Sequence, residues 1–467
     1  MSNLESETDI IVIGSGFAGL ASAIEASEAG ASVIVLEKML APGGNSAISD
    51  GGIAAPCTEY QEKAGIVDSP ELMYQDMITA GEALNYPELV KVVTEGAKNA
   101  FLWSKDYLGV KYLDRVDIFG GHSVARCYTP ESVSGRTLIK KQAARLKELK
   151  VSIRTGCYVK TLLQDEAGRI NGVQIIKGYR YNNPGQGSEE TIYAAKGVIV
   201  ASGGFGSDLA FRQAQDPRLN SALLSTNKPS ATAEILKECL RIGANPVQLS
   251  RIQLGPWTSP DEKGYGDGPL FGDYVVIPYG LIIDPETGER FVNELSNRKK
   301  LADTMLQRNH PVIGIADSAG IQNAGWDLAR VIKKGVIKTF NSISDLAVSY
   351  KIKAAALEKT VKRFNGFVRS NKDTDFEKPF PPAARPLEQP PFYAMRMWPK
   401  VHYTMGGIQI DRSTRVINRD QHPIAGLYAA GELTGGIHGA CRLGSCSITE
   451  CLVFGRISGK TAVSQNT

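Results

Sequence analysis

The 467-residue chain lacks several features that would each have fixed its class. It has no stretch of about 18 apolar residues, so no membrane-spanning helix is expected. The opening MSNLESETD is polar and acidic, with neither a basic start nor an apolar run, so no secretory leader is expected. No run of like charge stands out, and 53 Lys+Arg against 49 Asp+Glu leave a net charge of +4. The charge footprint of a nucleic-acid or membrane-surface partner is therefore missing. The seven cysteines (Cys57, Cys127, Cys157, Cys239, Cys441, Cys446 and Cys451) are odd in number and scattered, which fits a reducing cytoplasm. There is no CxxC or CxxCH, which argues against c-type haem, zinc ribbons and ferredoxin-type clusters. His438 with Cys441, Cys446 and Cys451 lacks ligand pairs at zinc spacing; these read as residues packed on crowded backbone, and no metal is expected.

What is abundant is glycine. The 48 glycines gather in short motifs rather than low-complexity tracts, a cofactor-binding pattern. Asp9–Lys38 reads as strand, glycine turn, helix, strand. The apolar run Ile10–Ile13 is a buried parallel strand, and Gly14-Ser15-Gly16-Phe17-Ala18-Gly19 opens the helix. Gly14 permits the tight turn, Gly16 lets backbone approach a pyrophosphate, and Gly19 lets helix lie close on strand. The phosphates meet the positive end of the helix. Glu37 ends the second strand, 23 positions beyond Gly14, where a carboxylate accepts ribose hydroxyls, with Lys38 beside it. The motif predicts an ADP moiety in a Rossmann-like α/β unit and leaves NAD and FAD both open.

Next, Gly43-Gly44-Asn45-Ser46 and Gly51-Gly52-Ile53 bracket a short polar segment, suited to backbone lying flat against a planar ring system. This loop resembles the isoalloxazine-contacting loop of the fumarate reductase/succinate dehydrogenase flavoprotein family. The membrane-bound members carry covalent FAD on a histidine of this loop; here there is none, so the resemblance is to the soluble branch and implies non-covalent FAD. It extends over nearly the whole chain. Gly426-Leu427-Tyr428-Ala429-Ala430-Gly431-Glu432 is similar to the family's second FAD motif, with Glu432 on the ribityl chain. Val159, Ala201, Ser202 and Gly203 are expected to complete the cofactor surface, with Ser445, Ser447 and Ile448 at the start of a last helix over Ile448–Gly459. That helix would direct its positive end at the flavin's pyrimidine edge.

Between these motifs, apolar spacing of three and four predicts helices across 69–117 and over SGRTLIKKQAARLKEL. VSIRTGCYVKTLLQDEAGRINGVQIIKG reads as a β-meander with turns at Asp165–Gly168 and Asn171-Gly172. From about 246 the text changes to loops and short strands, then helices. The expected organisation is a Rossmann-like FAD-binding domain in two segments, 1–245 and 386–467, with an inserted α+β capping domain at 246–385.

By resemblance, His402 of His402-Tyr403-Thr404-Met405-Gly406-Gly407 and Arg442 of Gly439-Ala440-Cys441-Arg442-Leu443-Gly444 hold a substrate carboxylate. Arg298, closing Arg290-Phe291-Val292-Asn293-Glu294-Leu295-Ser296-Asn297-Arg298, delivers a proton while flavin N5 delivers hydride. The physics agrees: an arginine fork grips carboxylate bidentately, and histidine adds a charge-assisted donor. A guanidinium, whose pKa exceeds about 12, donates only as the carbanion forms and must be reprotonated through a relay. Salt bridges or loop anchoring are the other roles open to these three. Gly120-Gly121-His122-Ser123-Val124-Ala125-Arg126 resembles a flavin-proximal segment, so His122 and Arg126 either face substrate or tie down their own loop.

Two departures bear on substrate. Counted back from Arg298 without a gap, the family's Thr-Glu pair falls on Asp273-Tyr274, and its His-Pro segment on Gly255-Pro256 followed by Trp257. A dicarboxylate loses its second grip and meets a carboxylate. The expectation is reduction of an α,β-unsaturated monocarboxylate such as urocanate or an aryl acrylate, with Asp273 accepting an N–H or OH and Trp257 or Tyr274 stacking. Alternatives are desaturation of a cyclic ketone, keto acid or steroid with Tyr274 and Tyr403 as acid and base, fumarate reduction itself, or a non-catalytic electron-transfer flavoprotein. An external electron donor or acceptor is implied, its identity open.

Overall fold

The computed structural model describes residues 8–464, so most of the polar N-terminal segment lies outside the described residues. Its main sheet runs in the order Arg415–Ile417, Pro423–Ala429, Ser188–Val200, Thr8–Ile13, Val33–Glu37, Ser152–Thr155. The four central pairings from Pro423–Ala429 to Ser152–Thr155 are all parallel. Ile10, Ile11 and Val12 are fully buried, as a parallel strand covered on both faces requires.

The expected meander is corrected in one respect. Ser152–Thr155 does not pair with the next strand; it joins the parallel sheet beside Val33–Glu37, because the preceding helix Gly135–Glu148 carries the chain across as a crossover. Gly156, at φ +65°, then turns the chain into Cys157–Gln164. The antiparallel pairings that follow merge into a single long strand, Ser188–Val200. Its first half pairs antiparallel with Ile170–Lys177 and its second half parallel with Thr8–Ile13.

A second, five-stranded antiparallel sheet has the order Glu289–Arg290, Leu281–Asp284, Val312–Asp317, Phe392–Met397, Ile337–Phe340. Helices Ile343–Tyr350 and Ala354–Ser370 accompany it, as the pattern predicts. Ile252–Gly255 pairs antiparallel with Lys400–Thr404, tying the beginning of this region to the segment leaving it.

Two apolar helices position the cofactor turn. The C-terminal helix Cys446–Ser464 packs along Phe17–Glu28, with Ser22 and Ser458 hydroxyls 2.7 Å apart. This contact is close enough that a Cβ on Gly459 would sit 2.3 Å from the Ser22 carbonyl oxygen. Gly459→Val is expected to cost about 2 kcal/mol or more through overpacking, measured as a shift in urea midpoint with unchanged denaturant slope.

Candidate active site

One continuous cleft runs from the glycine turn to Arg298, His402 and Arg442. At the turn, Gly14 has φ +103°, and a Cβ there would stand 2.3 Å from the Ala201 carbonyl oxygen. Gly203, at φ +82°, also lines the cleft, and a Cβ added there would meet no atom within 4 Å. The helix Phe17–Glu28 starts at Gly16 with no acid in its first turn; the Ser46 hydroxyl accepts the Phe17 N–H at 3.1 Å, and the rest of the positive end faces the cleft, where it favours phosphate. The Glu37 carboxylate takes the Ser15 N–H at 3.2 Å and the Met39 N–H at 2.7 Å. These residues fit a bound dinucleotide: Gly203 backbone on the cleft wall, a helix N-terminus facing the cleft, and an acid at the ribose distance.

Most of the expected cofactor contacts line this cleft. They include Gly14, Gly16, Ala18, Glu37 and Lys38; Gly43, Gly44, Asn45, Ser46 and Gly52; Val159, Ala201, Ser202 and Gly203; and Glu432, Arg442, Ser445, Ser447 and Ile448. Gly19 and Gly51 instead serve packing. A Cβ on Gly19 would be 2.0 Å from the Gly14 carbonyl oxygen, and one on Gly51 would be 3.0 Å from the Gly135 backbone. Glu432 accepts the Thr404 N–H at 2.9 Å.

At the far end, Arg298 is the first residue of helix Arg298–Leu306, capped by Asn297, whose side chain accepts the Lys300 N–H at 2.9 Å. The segment before it is held by a buried ion cluster: Arg290 pairs with Glu294 at 2.8 Å and Asp373 at 2.9 Å, and Lys378 lies 3.5 Å from Glu294. Arg290 and Glu294 are thus scaffold, and Arg298 is what they present. Arg298 Nη2 donates to Asp273 Oδ2 at 3.1 Å, and its guanidinium lies 5.3 Å from the Trp257 ring centre. The other face of Trp257's surroundings is His402, 4.8 Å away edge-on. Arg442 sits 4.8 Å over the Tyr403 ring and donates to the Leu443 carbonyl at 3.0 Å; among the described residues no carboxylate pairs with it.

Burial sets the protonation states. Burial, then Arg442 and Arg298, hold His402 well below its ordinary 6.5. His402 is therefore neutral in this cleft, so in a bond to a carboxylate the charge would come from the acceptor. The Thr226 hydroxyl lies 2.9 Å from its Nδ1 and 3.3 Å from the Val401 carbonyl, which fixes the orientation of the ring. Burial and Arg298 lower Arg442 to about 10, still charged at neutral pH. Burial raises Asp273 to about 6 against the opposing pull of Arg298.

Several expected contacts are relocated. Asp273 is bound to Arg298 rather than free for a substrate N–H. Tyr274 does not line the cleft; it stands behind it on a π-helical turn, Gly272–Val276, and its hydroxyl donates to Asp50 at 2.8 Å. Gly255 packs under the Trp257 ring, 3.2 Å from a Cβ built there. His122 and Arg126 also lie off the cleft. Arg126 is fully buried against Asp68 at 2.9 Å and also contacts Asp76, and His122 meets the Gly444 carbonyl at 2.9 Å. The loop-anchoring reading holds for both, because a buried guanidinium requires paired carboxylates.

The sequence reading missed Asp50, Thr226 and Tyr265, all on the cleft, and Glu450 near it. Tyr265 lies 5.7 Å from Trp257 in a glycine-rich loop without a recognisable motif. Glu450 left a signal: a lone acid inside the apolar helical run Ile448–Phe454. Its carboxylate accepts from Tyr403 at 3.4 Å.

Comparison with known proteins adds the following. A family model described as FAD binding domain matches residues 9–448. The chain is 39% identical to an acrylate reductase flavoprotein subunit of Shewanella woodyi, over 98% of this chain and 91% of that one. It is 35% identical to a urocanate reductase of Eggerthella lenta, over 98% and 75% respectively. A flavocytochrome c3 fumarate reductase solved in an open conformation superposes with TM-score 0.75 at 30% identity, covering 98% of this chain and 78% of that one.

Burial raises Glu432 to about 7 and Glu450 to about 8. The native state thus binds protons that the unfolded chain has released above about 4.5, so this stabilisation is present at low pH and lost as pH rises through 7 to 8. The buried histidines, with lowered pKa, act oppositely, but their contribution is complete above 6.5. FAD-stripped protein is therefore expected to lose thermal midpoint from pH 6.5 to 8.5, and Glu450→Gln to flatten that slope, read by scanning fluorimetry across pH.

Proposed function

This chain belongs to the FAD binding domain family, and on that premise we propose that it reduces the carbon–carbon double bond of an α,β-unsaturated monocarboxylate. It is a flavin-dependent oxidoreductase, and when bound FAD supplies the hydride. The observation that carries the proposal is the convergence of Arg298, His402 and Arg442 on one buried end of a cleft whose other end is the dinucleotide turn. We take 246–385 as the unit that brings Arg298 over the cofactor, its sheet reaching on to Phe392–Met397.

Arg442, buried without a carboxylate partner, and the His402 N–H bind the substrate carboxylate. Pairing a buried guanidinium in this way removes an unmatched charge and polarises the alkene toward the carboxylate. Arg298 holds the proton at Nη and donates it to the carbon that becomes electron-rich. Asp273, ion-paired to Arg298, stabilises the guanidinium between turnovers. Trp257 covers Arg298 and His402 and, at 1% exposure, excludes water from the reacting carbons.

The far end of the cleft supports the monocarboxylate. Trp257, Tyr265 and Asp273 line it, and Arg298 is already committed to Asp273, so a second carboxylate has no free cation there. The relatives that reduce acrylate and urocanate support the same class. A neutral ketone or steroid would leave Arg442 unpaired, at a cost of several kcal/mol for a buried charge.

Arg298→Ala is expected to lower turnover at least about 1000-fold with FAD retained, measured by the 450 nm spectrum and single-turnover reoxidation; normal turnover would remove its role. Arg442→Ala is expected to raise KM about 10- to 150-fold. Photoreduced enzyme mixed with acrylate, urocanate, cinnamate or fumarate should reoxidise at least about tenfold faster with one of the monocarboxylates. Fastest reoxidation by fumarate would overturn the substrate class.

A further inference from the structure

Reducing C=C to CH–CH consumes two electrons from an external reductant and two protons from solvent. Both protons must reach a buried cleft. Resting on the reduction proposed above, we propose that they enter through a hydrogen-bonded file from Asp117 through Thr129 and Tyr274 to Asp50, making Tyr274 and Thr129 proton-relaying residues.

The file is continuous. Thr129 Oγ1 lies 3.1 Å from Asp117 Oδ2 and 3.5 Å from the Tyr274 hydroxyl, and Tyr274 donates to Asp50 Oδ2 at 2.8 Å. Its outer end reaches solvent: the Asp117 side chain is 18% exposed and pairs with Arg115 at 3.0 Å. Its inner end, Asp50, lines the cleft with Asp273 and Arg298. Between them Thr129 is 1% and Tyr274 5% exposed, so the two hydroxyls are sealed from water along the way. The Tyr274 ring is clamped edge-on by Phe119 at 5.2 Å and Trp326 at 5.0 Å, which holds the hydroxyl in line.

Transfer inward is stepwise and balanced. Burial raises the Asp117 pKa against the lowering effect of Arg115, with Asp50 raising it further; Tyr279 also faces this pair. When Asp117 takes a proton it becomes the donor to Thr129. Thr129 then turns its O–H to Tyr274, and the Tyr274 O–H passes its proton to Asp50. Each hydroxyl gains one proton and loses one, so none is left charged. Asp50 releases its proton into the cleft, and Asp117 is recharged from solvent. Asp273 and Tyr274 are neighbours on the π-helical turn Gly272–Val276, the first lining the cleft and the second standing behind it; such turns are frequent at functional sites.

The test is proton uptake in lightly buffered phenol red when reduced methyl viologen, a one-electron donor that releases no proton on oxidation, reduces the FAD-bound enzyme in a stopped-flow cell, with no substrate present. Tyr274→Phe, Thr129→Val and Asp117→Asn should each slow uptake at least tenfold while the FAD spectrum stays unchanged, and Thr129→Ser should restore the rate. Asp117 lies at the edge and keeps the test valid if Tyr274→Phe fails to fold. Wild-type uptake rates in folded, FAD-bound Tyr274→Phe or Asp117→Asn would overturn the file. Because no substrate is used, a wrong substrate class leaves this result standing.

Discussion

Two guanidinium groups buried in one cleft set the terms for the rest of the molecule. Burial, and then the charge of Arg298, make Arg442 costly to keep charged. Asp273 answers for Arg298, at 3.1 Å. Arg442 has only an aromatic face and a backbone carbonyl. Burial first, and then the two guanidinium charges, push His402 to its neutral form, and under the proposed function an incoming carboxylate would pair with Arg442.

Holding such a site open requires stiff supports on both sides. The sheet containing Thr8–Ile13 and the packed helices Phe17–Glu28 and Cys446–Ser464 fix Arg442 and Glu432 relative to the glycine turn. On the opposite side, the buried Arg290–Glu294–Asp373–Lys378 cluster fixes the segment that ends in Arg298. Removing one partner from such a cluster strands a buried charge, so the geometry is retained as a unit. The two supports meet through the pairing of Ile252–Gly255 with Lys400–Thr404, directly beside His402.

Local patterns were legible wherever chemistry depends on neighbours in sequence. The turn Gly14–Gly19, the acid at Glu37, the helices Pro70–Ala80, Pro87–Leu102 and Gly135–Glu148, and the hairpin of Cys157–Gln164 with Ile170–Lys177 follow from periodicity and glycine placement. Errors arose where partners are distant. The Ser152–Thr155 strand alternates like a meander strand, and only the crossover helix before it decides its parallel partner. His122 and Arg126 look like a polar binding segment, but the carboxylates that neutralise Arg126 lie 58 and 50 residues earlier. Asp273 and Tyr274 are adjacent in sequence on a π-helical turn, yet one lines the cleft and the other stands behind it.

The sequence by itself therefore determined the dinucleotide turn and the strand, helix and strand that carry it, while Arg298, His402 and Arg442 were singled out by resemblance of their motifs. The turn and its flanking elements are a matter of short-range steric freedom and apolar periodicity. Only the tertiary structure decided which charges are paired, that His402 is neutral, and that Tyr274 bonds Asp50 rather than a ligand. Those properties depend on burial and on partners brought together from positions more than twenty residues apart, and no local pattern in the chain encodes them.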